Sequence, residues 1–170
     1  MTLLILTSSD SGAGALQVAE LADCVIPLGL RFAWGELQSR SELQRWLAPR
    51  SATHDARVAR WLDNLTSDGL DEARSHGLGL VEFCERFDAV ELWIDPDPNA
   101  QLQMIWLLDY LRPHANVTSR LGLVQTDFGI GEQRSQEAAT LRPQAVAIRH
   151  DHLETAGAAW AAWRSPTPEA

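Results

Sequence analysis

At 170 residues, 45% apolar and 22% charged, the chain can fill one sizeable hydrophobic core and is too short for two independent ones. Its 14 basic residues are all arginine, which excludes chemistry that needs a lysine: a Schiff base, a phosphate-loop lysine or a kinase-type nucleotide lysine. The net charge of −9 argues against general binding to nucleic acid or to an anionic membrane, because affinity for phosphate rests on a positive surface.

In chain order, residues 3–7 form a short apolar run ended by the polar turn Ser8-Ser9-Asp10-Ser11-Gly12, which opens onto an apolar segment at 13–21. This reads as strand, loop, helix. Residues 23–28 make a second apolar run bounded by Pro27 and Gly29. Ser39 and Glu42 have capping-box spacing, and Leu43, Trp46 and Leu47 supply a helical stripe stopped by Pro49. Helices are expected over 54–65 and again after Gly69, the second using Leu70, Ala73, Val81, Cys84 and Phe87, with Gly77 and Gly79 weakening its middle.

Residues 89–94 are the clearest strand, followed by Asp95-Pro-Asp-Pro98 and a helix at 99–111 that is apolar nearly all round, so it is expected to be well buried. Arg112-Pro113 ends it. A strand is expected at 117–124, a loop at 125–131 and a short last strand at 145–148. Asp151 and Glu154 are spaced as an N-cap and its third helical residue, opening a helix with Leu153, Ala156, Trp160 and Trp163 on one face. Alternating strands and helices imply a single α/β domain over residues 1–165, a Rossmann-like three-layer sandwich with a mostly parallel sheet. A helical insert at about 36–87 is expected beside the sheet, and a frayed tail at 166–170.

No positive charge precedes the first apolar run, the first arginine being Arg31, and no run approaches the ~18 apolar residues of a membrane span. Cys24 and Cys84 stand alone in separate apolar stretches and read as buried thiols. A cytoplasmic protein is expected.

In open parallel sheets, ligands bind beyond the carboxyl ends of the strands. Two expected strand ends carry acids here: Asp10 after the first strand, and Asp95 with Asp97 after the strand at 89–94. Converging, these three carboxylates suit a hard divalent cation such as magnesium. Each alone has a plainer role, since Asp10 or Ser11 can cap the helix at 13–21, and Asp95 or Asp97 the helix at 99–111. The loop at 8–14 leads into a helix N-terminus and can offer backbone N–H groups to an anion, although the dinucleotide fingerprint fails because Gln17 stands where the third glycine belongs. The histidines are scattered; His150 and His152 diverge at a helix start. A hydrolase nucleophile elbow is absent. Arg40, Arg45, Arg50, Arg57 and Arg60 face only Glu42 and Asp55 between residues 38 and 61, a local positive stretch with Trp46 and Trp61 interleaved. The arginines read as solvated helix faces and the tryptophans as core.

The chain resembles the bacterial family called domain of unknown function 1835 (DUF1835). Three segments carry the resemblance: Leu6-Thr-Ser-Ser-Asp-Ser-Gly-Ala-Gly14, similar to that family's first strand and Asp-Ser loop; Glu91-Leu-Trp-Ile-Asp-Pro-Asp97 with Gln101-Leu-Gln-Met-Ile-Trp-Leu-Leu108, similar to its Leu-Trp-Phe-Glu-His-Asp segment and following helix; and Ala158-Ala-Trp-Ala-Ala-Trp-Arg-Ser-Pro166, similar to its closing helix. The chain departs at Pro96, where the family pattern has histidine, and at Ala100, where it has an acid. The resemblance implies a bacterial α/β protein and no particular reaction.

These observations converge on a site for a small phosphorylated or nucleotide-like ligand at the strand ends, formed by Asp10, Ser11, Gly12, Arg31, Asp95 and Asp97. Magnesium would be held by Asp10, Asp95 and Asp97, and Arg31 would pair with phosphate. The rival reading is a non-catalytic protein-interaction or regulatory module that meets its partner through the arginine-bearing helical insert.

Overall fold

The computed structural model describes residues 1–49, 61, 76–132 and 144–166. Five strands, β1 (Leu3–Thr7), β2 (Cys24–Pro27), β3 (Ala89–Ile94), β4 (Leu121–Gln125) and β5 (Val146–Ala147), make one sheet in the order β2-β1-β3-β4-β5. The first four run parallel and β5 is antiparallel to β4. The helices are α1 (Asp10–Val18), α2 (Arg40–Leu47), α3 (Leu80–Cys84), α4 (Pro98–Leu111), α5 (Ala115–Thr118) and α6 (His150–Trp163). This is the expected α/β architecture with a mostly parallel sheet.

Strand order explains the layering. The chain moves from β1 outward to β2, then crosses back over β1 to place β3 on its other side. Right-handed crossovers in opposite directions put their helices on opposite faces. Accordingly Ile5, Val25, Trp93 and Val124 pack with Ala13 and Leu16 of α1, while Leu4, Leu6, Ile26, Val90, Leu92 and Ile94 pack with α2, α3, α4 and α6. Both faces are covered, which is why the β1 sequence Leu-Leu-Ile-Leu is continuous rather than alternating.

The described part of the helical insert belongs to this second layer. Leu43 and Leu47 of α2, Trp61, and Leu80, Phe83 and Cys84 of α3 share one buried cluster with the sheet. The expected helix at 54–65 and the first part of the one after Gly69 lie outside the described residues, as does most of the expected frayed tail.

Helix α4 is the backbone of the second layer and packs along α6. Gly157 permits their close approach: a Cβ there would lie 3.0 Å from Asp109 Oδ1 and 3.2 Å from Arg112 Cζ. Phe32 fits between them, its ring centroid 5.5 Å from Trp106 and 5.1 Å from Trp160.

Several boundaries differ from expectation. Helix α1 starts at Asp10 because Ser9, not Asp10 or Ser11, is its N-cap, accepting from the Gly12 N–H. The segment expected to begin a strand at Val117 first makes the short helix α5, and the strand starts at Leu121. Helix α6 starts at His150: His152 Nδ1 accepts from the Arg149 N–H, and the Arg149 guanidinium grips both Asp151 oxygens at 3.2 and 3.0 Å. Among the described residues no helix is long and apolar enough to cross a membrane. Both cysteines are free; burial pushes the Cys84 thiol up to about 12 and the Cys24 thiol up to about 11, where neither is a ready nucleophile at neutral pH.

Leu92, fully buried in β3 between two parallel neighbours, is the stringent test of this arrangement. Leu92→Ala is expected to cost about 2–5 kcal/mol in urea unfolding. Val18→Ala, at a position 71% exposed, should change stability by less than about 0.5 kcal/mol. Equal effects would contradict the two-sided burial of the sheet.

Candidate functional site

Strands β1 and β3 part company at their carboxyl ends, after Thr7 and Trp93. The Ser8 N–H still donates to the Trp93 carbonyl at 3.3 Å, and beyond it the two loops diverge. Asp95, the first residue past β3, fills the point of divergence. Its side chain is buried, 7% exposed. One carboxylate oxygen, Oδ2, accepts from Ser8 Oγ at 2.9 Å and from Ser9 Oγ at 2.8 Å. The other, Oδ1, accepts from the Ile130 N–H at 2.6 Å, and the Asp95 N–H donates back to Ser8 Oγ at 3.1 Å. One carboxylate therefore ties together the loops that follow β1, β3 and β4.

The loop after β2 is held by α4. Asn99 and Gln103 stand four residues apart, hence on one helix face. Asn99 Oδ1 accepts from the N–H groups of Phe32 (2.7 Å) and Ala33 (3.1 Å), while its Nδ2 donates to the Leu30 carbonyl at 2.9 Å. Gln103 Nε2 donates to the same carbonyl at 2.8 Å and to that of Ser8 at 3.3 Å. Among the described residues the five buried polar ones, Thr7, Ser8, Asp95, Asn99 and Gln103, thus lie at this end of the sheet. Backbone groups that leave a sheet must be satisfied somewhere, and here side chains do it.

The residues expected from sequence meet different fates. Asp95 is central, but as a tie between loops rather than as an open ligand. Asp97 is the N-cap of α4, accepting at Oδ1 from Asn99 N–H (2.9 Å) and Ala100 N–H (3.0 Å). Asp10 is exposed in the first turn of α1, where a negative charge complements the helix dipole. Ser11 is exposed beside a 3₁₀ turn at Ile130–Glu132 that packs so closely that a Cβ on Gly131 would lie 2.6 Å from Ser11 Oγ. Gly12 is buried, with the Ser9 cap 2.8 Å from where its Cβ would be. Arg31 is exposed and makes no hydrogen bond or ion pair among the described residues.

Asp10, Asp95 and Asp97 do not come together as a metal-holding group in the described structure. Among the described residues no group of three or more His, Cys, Asp or Glu is placed to hold a metal. Asp95 turns both oxygens to N–H and O–H donors, and Asp97 turns one into its own helix. A hard cation needs several carboxylate oxygens facing one open position. Of the positive stretch at 38–61, Arg40 and Arg45 of α2 are exposed, and Arg50, Arg57 and Arg60 lie outside the described residues. Trp46 is half-buried and Trp61 buried, as expected of core residues.

Sequence reasoning missed Ser8, Ser9, Asn99 and Gln103. A signal existed for the last two: uncharged amides at i, i+4 on a helix otherwise apolar nearly all round. Trp34 and Phe128, 59% and 42% exposed, also escaped notice. They stand on the loops after β2 and β4, at the same edge as Arg31 and Asp10. No family model matches the chain, and no curated protein matches it.

The separate roles of the three aspartates are testable by urea unfolding. In Asp95→Asn the amide has one accepting oxygen, so either the Ile130 N–H confronts an NH₂ group or the serine hydroxyls, which donate to Asp95, must turn to accept from it, at a cost of about 1–3 kcal/mol. Asp97→Ala should cost about 0.5–2 kcal/mol as a lost cap. Asp10→Asn should cost less than about 1 kcal/mol. An Asp95→Asn protein as stable as its parent would remove Asp95 from the centre of this network.

Proposed function

We propose that the protein binds a small anionic ligand, phosphorylated or nucleotide-like, at the carboxyl edge of the sheet between β1 and β3. The observation that carries this reading is the Asp95 tie. It holds the loops after β1, β3 and β4 together where the strand order reverses, the place at which open α/β sheets bind ligands. The loops so held, with the α4-anchored loop after β2, carry Arg31 as an uncommitted guanidinium suited to phosphate. They also carry Trp34 and Phe128 as exposed rings suited to a flat group, and Asp10 and Ser11 as acceptors for sugar hydroxyls. Binding rests on Arg31 and the rings rather than on a metal, because Asp95 and Asp97 turn their oxygens to donors of the fold and leave only Asp10 open to solvent.

This reading assigns no reaction. The acidic composition fits a ligand of low molecular weight better than a nucleic acid or a membrane. Two free, unreactive thiols suit a reducing, cytoplasmic compartment. The resemblance to the DUF1835 family is consistent with a bacterial α/β protein and adds no chemistry.

Titration of the protein with ATP, ADP, AMP and inorganic phosphate, each with and without magnesium, tests the reading by thermal shift. At a hundred times its dissociation constant, a ligand should stabilise the fold by about 2.7 kcal/mol. Arg31→Ala should weaken binding about tenfold or more, the loss of one charge-assisted contact. Asp97→Ala should lower the melting temperature while leaving affinity unchanged. A panel in which nothing shifts the melting temperature, or a shift indifferent to Arg31→Ala, would refute the proposal.

A further inference from the structure

A second concavity lies away from the strand ends, in the helical layer. Asp97 caps α4 at the carboxyl edge of the sheet, and the 14-residue helix carries its last turns roughly 20 Å away. There, between α2, α4 and α6, is a cavity of about 540 Å³, within the size range of small-molecule sites.

Its wall is aromatic. Trp106, Tyr110 and His114 follow one another four residues apart, with ring centroids 6.1 and 6.0 Å apart in succession. Trp106 and, from α6, Trp160 are nearly fully buried and form the backing. Tyr110 and His114 are half-buried and present ring surface to the cavity.

Its charges are separated. Arg112 meets two carboxylates, Asp109 Oδ1 at 3.1 Å and Glu154 Oε1 at 3.3 Å. Two acids sharing one guanidinium leave one negative charge over. Arg40, from the first turn of α2, also lines the cavity and has no hydrogen-bonding or ionic partner among the described residues. That leaves one positive charge over. With histidine neutral, the lining sums to zero yet offers an uncommitted cation and a surplus of carboxylate around one aromatic wall.

We propose that this cavity binds a small zwitterion with an aromatic side chain, an aromatic α-amino acid being the simplest such molecule. Arg40 takes its carboxylate, the Asp109–Glu154 pair takes its ammonium group, and the ring lies against Tyr110 and His114. Such a site selects through both charges at once, because an analogue lacking either one leaves a protein charge without its partner.

Isothermal titration of the full chain with L-phenylalanine, 3-phenylpropanoate and phenethylamine tests this. L-phenylalanine should bind saturably, and each analogue about tenfold or more weakly, one charge-assisted contact being lost in each. Arg40→Gln should weaken phenylalanine and phenylpropanoate while leaving phenethylamine unchanged. Glu154→Gln should weaken phenylalanine and phenethylamine while leaving phenylpropanoate unchanged. Both substitutions lie at exposed side chains, and circular dichroism checks that the fold is retained. Arg31→Ala, at the other site, should not alter phenylalanine binding, so failure here and failure of the phosphate-ligand reading are distinguishable. Absence of saturable phenylalanine binding, equal binding of all three compounds, or indifference to Arg40→Gln overturns the proposal.

Discussion

One carboxylate organises the carboxyl end of the sheet. Where β1 and β3 separate, their backbones lose the ladder that satisfied them, and Asp95 replaces it with bonds from two serine hydroxyls and the Ile130 N–H. A buried carboxylate is tolerated only when its oxygens are engaged. The three donors therefore must be present together, and their presence holds three loops at fixed separations. The Ser9 hydroxyl that caps α1 is one of these donors, and the 3₁₀ turn beside Ser11 begins at Ile130, whose N–H is another.

The second polar pair, Asn99 and Gln103, extends the same logic to the loop after β2. Helix α4 is thereby shared between two tasks. Its apolar faces bury Trp106, Leu107 and Leu111 against sheet and α6, while its first turns present amides to the loop. Fixed in this way, the loop leaves Arg31 and Trp34 exposed, with no side-chain hydrogen bond to either among the described residues. Rigid support beneath and free side chains above is the arrangement expected of a binding rim. The cavity at the other end of α4 has buried rings behind, with Arg40 and the Arg112–Asp109–Glu154 cluster in front.

Much of the fold was legible because burial on both faces writes itself into composition. The runs at 3–7 and 89–94, the capping box at Ser39 and Glu42, and the apolar helix after Asp97 all carry local signals that the structure repeats. The errors fell where competing local signals were close in strength. Ser9, Asp10 and Ser11 are all good caps, and only the path of the chain leaving β1 selects Ser9. Val117 looks like the start of a strand, yet its burial is achieved on α5 instead, because β4 pairs with β3 in a register that begins Val90 against Leu121.

The aspartates show most clearly what each level decides. From the amino-acid sequence alone it follows that Asp10, Asp95 and Asp97 stand near strand ends, that Asp-Pro turns flank two of them, and that no lysine takes part. Asp97 finds its partners within three residues, as a cap of the next helix, but that Asp95 is buried as a tie depends on groups 35 and 87 residues away in the chain, Ile130 and Ser8. Hydrogen bonds are satisfied by whatever the fold brings within about 3 Å, and that distance is set by strand order and crossover hand, not by spacing along the chain. Tertiary structure accordingly turned three similar carboxylates into a tie, a cap and a free surface charge.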